Sequence, residues 1–155
     1  MAFRITGLPV EPFRHLFGLS EAELARLGVL RMVVDEVPGF PDRIEMREAR
    51  LGDTVLLLKH VCQPAETPYR ASHAIFIREG ASDTYDRIDE VPEVMRGRLL
   101  SLRCYDAKGM MVDADVVEGR SVEAAILKFF AKSEVAYIHA HNAKRGCYSG
   151  RIDRA

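Results

Sequence analysis

The sequence predicts an α+β fold: a single domain with a mainly antiparallel, strongly twisted sheet and two or three helices packed on it. Three observations carry that expectation. Short apolar runs and runs of alternating polarity recur along most of the chain. Two of them, residues 99–106 and 109–117, are joined by Asp106-Ala107-Lys108-Gly109, a turn sequence that reads as a hairpin. Only two segments show the 3.6-residue period together with capping residues. At 155 residues the chain is one ordinary domain in size, long enough for a single packed core to suffice.

Taken in order, Phe3 to Thr6 is a short strand candidate. A helix follows, with Ser20 as N-cap, Glu23 completing a capping box, Leu19 and Leu24 forming a hydrophobic staple, and Gly28 stopping it. Val29 to Val34 is a second short strand. Residues 36–53 hold Pro38, Gly39, Pro41, Asp42 and Gly52 and read as an internal connection, because some 35 residues before them are too few for an independent core. Residues 54–62 are apolar on both faces, the pattern of a central strand covered twice. A long proline-stiffened loop leads to a strand from His73 to Arg78, and a short helical turn starts at Pro92, where a missing N–H costs least. In the hairpin's second arm Met110, Val112, Ala114 and Val116 take one face, against Met111, Asp113 and Asp115. Val122, Ala125, Ile126, Phe129 and Phe130 recur at helical spacing, predicting a helix over 122–132 capped by Ser121 and covering one face of the sheet. Val135 to His141 and Cys147 to Ile152 complete the strands.

Composition excludes several function classes. With 22 basic against 23 acidic residues, the net charge of −1 argues against nucleic-acid binding, and the terminal cluster Lys144, Arg145, Arg151 and Arg154 has no accompanying motif. No apolar run approaches the ~18 residues of a membrane span, and the first residues lack a secretory pattern. Three cysteines, Cys62, Cys104 and Cys147, do not make a disulfide framework and favour a reducing cytoplasm. Without a glycine-rich phosphate motif, no nucleotide cofactor is expected.

The densest chemistry lies between Tyr137 and Tyr148. In a strand there, Tyr137, His139 and His141 share a face. The leading expectation is a pocket for a small anionic ligand or a peptide, between the 63–73 loop and the 137–148 hairpin. Arg70 and Arg145 would supply charge, with Tyr69, His139, His141 and Asn142 orienting the ligand. The alternative is an enzyme in which His139 or His141 acts as base and Cys147, beside Lys144 and Arg145, as nucleophile. No cofactor is predicted, with zinc as the alternative: His60 and Cys62 share one strand face, His139 and His141 another, and two such pairs can converge on a tetrahedral ion. A structural or oligomerisation domain without a pocket is the third reading. Oligomeric state is not legible. Asp113 and Asp115 share a face but read as a solvated one.

Leu56-Leu57-Leu58, Gln63-Pro64-Ala65, Pro68-Tyr69-Arg70, His73-Ala74-Ile75-Phe76, His139-Ala140-His141-Asn142-Ala143 and Arg145-Gly146-Cys147-Tyr148 resemble a bacterial family known only as a domain of unknown function, number twelve-zero-three. The resemblance covers residues 40–155, with residues 1–35 a strand and helix region packed on that core. It implies a small single-domain protein and carries no catalytic residue. A glycine–proline pair stands at the positions of His73-Ala74 in many members, so the resemblance assigns no shared role to His73.

Overall fold

The strands that the sequence pattern marks are all formed, but they divide between two antiparallel sheets rather than joining one. The computed structural model describes all 155 residues. In chain order the elements are β1 (Phe3–Thr6), α1 (Glu11–Arg14), α2 (Glu21–Arg26), β2 (Leu30–Val33), β3 (Thr54–Gln63), β4 (Ala71–Arg78), β5 (Asp86–Ile88), α3 (Glu93–Arg96), β6 (Leu99–Tyr105), β7 (Met111–Glu118), a 3-10 turn (Gly119–Ser121), α4 (Val122–Phe130), β8 (Tyr137–Asn142) and β9 (Tyr148–Arg154). The larger sheet has the order β5-β1-β9-β8-β6-β7 and the smaller one β2-β3-β4. Every pairing within them is antiparallel. The N-terminal strand β1 lies inside the larger sheet, between β5 and β9. No helix is long and apolar enough to cross a membrane.

Local chemistry explains most boundaries. The α2 capping box is formed: Glu23 N–H donates to Ser20 Oγ at 3.2 Å and Ser20 N–H to Glu23 Oε2 at 2.8 Å. Gly28 then adopts φ 72°, the left-handed conformation that ends a helix without a Cβ penalty. Ser121 does not cap α4 by its side chain; the 3-10 turn delivers the chain instead, and the helix ends at Phe130, two residues early. α1 and β5 carry too few residues for either period to register.

On two strands apolar content does not decide which face is covered. On β7, Val112 and Val116 are exposed, while Asp113 turns toward α4 and pairs with Lys132. β7 is the sheet's edge strand and α4 covers the face opposite to the one its apolar residues occupy. On β3 the second covered face extends only over the first half, where Val55 meets Val34, Phe40 and Ala49; Val61 is exposed.

Two main cores result. One lies between the larger sheet and helices α3 and α4, and includes Leu102, Ile126, Phe130 and Ile138. The other lies between the two sheets and beneath the N-terminal helices, and includes Phe13, Leu24, Leu56, Leu58, Ile75 and Ile77. A carboxylate network ties the N-terminal segment to the smaller sheet. Glu79 accepts from Arg31 Nε at 2.9 Å and Nη2 at 2.7 Å, from Thr54 Oγ1 at 2.9 Å and from Gly18 N–H at 2.8 Å. These contacts pull the Glu79 pKa down to about 2, with the Arg31 hydrogen bonds as the largest cause.

A carboxylate with a depressed folded-state pKa contributes stability above its unfolded value, and that stability is lost as pH falls through the folded one. Glu79→Gln is therefore expected to cost about 2 kcal/mol at pH 7. The deficit should shrink toward zero between about pH 4.5 and pH 2, as the wild-type carboxylate protonates. Urea unfolding of both proteins at pH 7 and pH 2.5 measures this; an equal deficit at both values would overturn it.

Candidate functional site

The inter-sheet core changes character along its length. On β3 the residues Leu56, Leu58, His60 and Cys62 alternate onto one face, as do His73, Ile75 and Ile77 on β4. The aliphatic members form the apolar half of the core. Beyond them the two sheets meet through His60, Cys62 and His73 on one side and Tyr137, His139, His141 and Tyr148 on the other. Four of the chain's five histidines thus lie in one layer.

Two bulges aim its residues. The β3–β4 register shifts between Val61 and Gln63, which makes Cys62 the extra residue. The β8–β9 register shifts beside His141, placing Tyr148 directly opposite it. His60 and His73 are themselves cross-strand partners. The His73 and His141 rings stand 4.9 Å apart, centroid to centroid, while His60 packs against Phe13 at 6.0 Å and Tyr148 at 6.1 Å. His139 is surrounded by Tyr105, Tyr137 and Tyr148, each ring within 5.3 Å.

Burial keeps these imidazoles neutral. It pulls the His139 pKa down to about 4 and that of His141 to about 3, with the Arg103 cation adding to both shifts. His73 is lowered by the same two causes. His141 Nδ1 lies 3.0 Å from the Gly146 carbonyl oxygen, which can only accept, so Nδ1 carries the proton and Nε2 the lone pair. His73 Nε2 and His139 Nδ1 are buried without a hydrogen-bond partner. Such atoms are rare in folded proteins and call for a physical account.

Next to this layer opens a cleft of about 830 Å³, walled by Arg43, His73, Asn142, Lys144, Arg145 and Cys147 among others. Gly146 at φ 79° makes the β8–β9 turn that carries Lys144 and Arg145 into solvent. Asn142 N–H donates to Cys147 O at 2.9 Å and Gly146 N–H to Asn142 O at 2.7 Å, so the turn is closed by its own backbone. Arg43 reaches the turn from the 36–53 segment. It is 2% exposed; its Nε donates to Tyr148 O at 2.9 Å, Nη1 to Pro41 O at 2.7 Å and Nη2 to Cys147 Sγ at 3.2 Å. Asn142 Nδ2 donates to the same sulfur at 3.4 Å, and Asn142 Oδ1 is buried without a partner. A second, more open cavity of about 650 Å³ lies along Val37, Arg47 to Leu51 and Glu93, away from the histidines.

The sequence-predicted site residues are thus distributed rather than assembled. Asn142, Arg145 and Cys147 share the cleft. His139 and His141 line the adjoining layer. Tyr69 and Arg70 belong to neither wall: Tyr69 sets its ring 6.4 Å from Tyr105 at the far end, and Arg70 Nη1 donates to Pro64 O within its own loop. No histidine hydrogen-bonds to Cys147, whose sulfur is held by Arg43 and Asn142. Of the four anticipated zinc ligands, Cys62 and His141 converge, and they do so with His73 rather than with His60 or His139. Arg43 and His73 were missed as site residues. For Arg43 the available signal was a cation between Phe40 and Ile44, in a segment otherwise read as connection.

No curated protein and no solved structure matches the chain. One family model does, described as "Protein of unknown function (DUF1203)", over residues 39–154, a span that includes β3 to β9, Arg43, the cleft's lining apart from Glu36, and the whole histidine layer. The chain belongs to this family.

Proposed function

We propose that this protein binds a small anionic ligand, a carboxylate or phosphate that also carries a hydroxyl or amide donor, in the cleft at the β8–β9 turn. The observation that supports this reading is a pair of uncommitted cations beside an uncommitted acceptor. None of the chain's ion pairs involves Lys144 or Arg145. Both line the cleft, together with Asn142, whose Oδ1 has no partner. An anionic group answers the two cations, and a hydroxyl or N–H answers Asn142. Arg98 contributes field but is tied to Glu48 and to the Val94 carbonyl. Glu36 and Glu118, on the cleft's other lining, disfavour a large polyanion. Three free thiols suit a reducing, cytoplasmic setting.

Thermal melts with inorganic phosphate, sulfate, citrate and tartrate test the reading. A ligand at about 100 times its Kd adds about 2.7 kcal/mol, a rise of about 5–10 °C for a chain of this size. Lys144→Ala and Arg145→Ala are each expected to weaken binding about tenfold, the worth of one charge-assisted hydrogen bond. Both residues are exposed, so the fold should be unaffected. No stabilisation by any of the four anions, or stabilisation indifferent to both substitutions, would overturn the proposal. A response confined to acidic peptides would move it to a peptide ligand.

A further inference from the structure

The thiol of Cys62 and the imidazoles of His73 and His141 place one donor atom each within 4.8 Å of one another. Ligand atoms around a tetrahedral zinc lie about 3.3–3.6 Å apart, given bonds of about 2.3 Å to sulfur and about 2.0–2.1 Å to nitrogen. The three groups are therefore about 1 Å from closing on an ion, within reach of side-chain rotation at His73, which is half-exposed.

Other features of the same residues fit coordination better than packing. His141 has its Nδ1–H donated to the Gly146 carbonyl, the outer-sphere bond that orients a ligating imidazole and leaves Nε2 bare. His73 Nε2 is buried and has no protein partner. Cys62 sits on a β-bulge, a device that re-aims a side chain, and its sulfur has only a weak contact, 3.5 Å from Ala71 O. Sulfur and nitrogen donors without a carboxylate exclude calcium and magnesium and suit zinc or cobalt(II).

We propose that Cys62, His73 and His141 form a binding site for a zinc-class divalent ion between the two sheets, with one coordination position left for water or another small ligand. Coordination converts the Cys62 thiol to a thiolate and releases its proton to solvent. The thiolate cancels one of the ion's two charges. The remaining positive charge stands near Arg103, whose cation acts on all three ligands and holds the affinity below that of closed four-ligand structural sites. The site does not depend on the anion reading: none of its three ligands is Asn142, Lys144 or Arg145, although His73 also lines the cleft.

Cobalt(II) titration of the full chain tests it, because a cobalt–thiolate bond has its own near-ultraviolet charge-transfer band and tetrahedral cobalt strong visible bands. One equivalent of cobalt is expected to develop both, and zinc to displace it. Cys62→Ser should abolish the charge-transfer band, and His73→Ala should weaken binding about tenfold or more. Cys147→Ser and Lys144→Ala should leave the spectrum and the affinity unchanged. His141 is fully buried and its removal risks the fold, so the half-exposed His73 carries the histidine arm, with thermal melts confirming that each variant is folded. Absence of both bands in the wild-type protein, or a charge-transfer band that survives Cys62→Ser, overturns the proposal.

Discussion

Arg43→Ala is expected to destabilise the protein by about 3–5 kcal/mol, in the range of breaking a buried charged contact. The guanidinium is 2% exposed and spends its fork on three acceptors from two distant parts of the chain: Pro41 O, Tyr148 O and Cys147 Sγ. Removing it strands buried acceptors, at about 1–3 kcal/mol each, and leaves a void. One effect acts in the opposite direction. No carboxylate pairs with Arg43, so its loss also relieves the cost of burying a charge, which is why the sum of the stranded acceptors overstates the deficit. Arg43→Lys separates fork from charge. A single ammonium cannot reach three divergent acceptors, so this variant should recover less than half of the loss. Because Arg43 joins the 36–53 segment to the β8–β9 hairpin, the alanine variant should also lose anion binding at temperatures where it is still folded. Urea unfolding and the phosphate or citrate melts read the two effects separately. A cost below about 1 kcal/mol would mean that the latch is not structural.

Legibility in the sequence followed the range of the interactions concerned. The Ser20–Glu23 capping box, the Asp106–Gly109 turn and the alternation of β8 depend on neighbours two to four residues apart, and all are formed as expected. The division into two sheets depends on which strands meet, and alternation carries no such information: nothing in the pattern of β4 or of β9 says that the two lie in different sheets. The same limit applies to the β7 faces, where the position of α4 outweighs the apolar residues' own preference for burial. For the site, the 137–148 concentration was visible because its residues are contiguous. Its true neighbours were not. His73 meets His141 only because the two sheets pack face to face, and Cys62, whose face alternation does mark, meets them for the same reason. Arg70, conspicuous in its loop, bonds to that loop's own backbone, whereas Arg43, inconspicuous between Phe40 and Ile44, holds the cleft together.

Phe130→Ala should cost about 3–5 kcal/mol while Leu127→Ala, in the same helix, should cost less than about 1 kcal/mol. The two residues differ in face rather than in chemistry. Phe130 is 1% exposed and packs in the core with Leu102, Ile126 and Ile138; Leu127 is 40% exposed. The Phe130 ring also carries the Arg154 guanidinium 4.8 Å from its centroid, while Arg154 Nη2 donates to Val135 O and Lys132 O at 2.9 Å. Truncation therefore removes a ring from a filled core and the platform on which the terminal strand's arginine rests. That core lies on the face of the larger sheet away from the histidines, since Ile138 and Ala140 point into it while His139 and His141 point to the other side. Stability and ligand affinity should consequently separate. Folded Phe130→Ala should keep the wild-type affinity for anion and cobalt, whereas Arg43→Ala should lose anion affinity along with stability. Equal losses for Phe130→Ala and Leu127→Ala, or a fall in anion affinity in folded Phe130→Ala, would show that the two faces of the sheet are not the independent halves their packing implies.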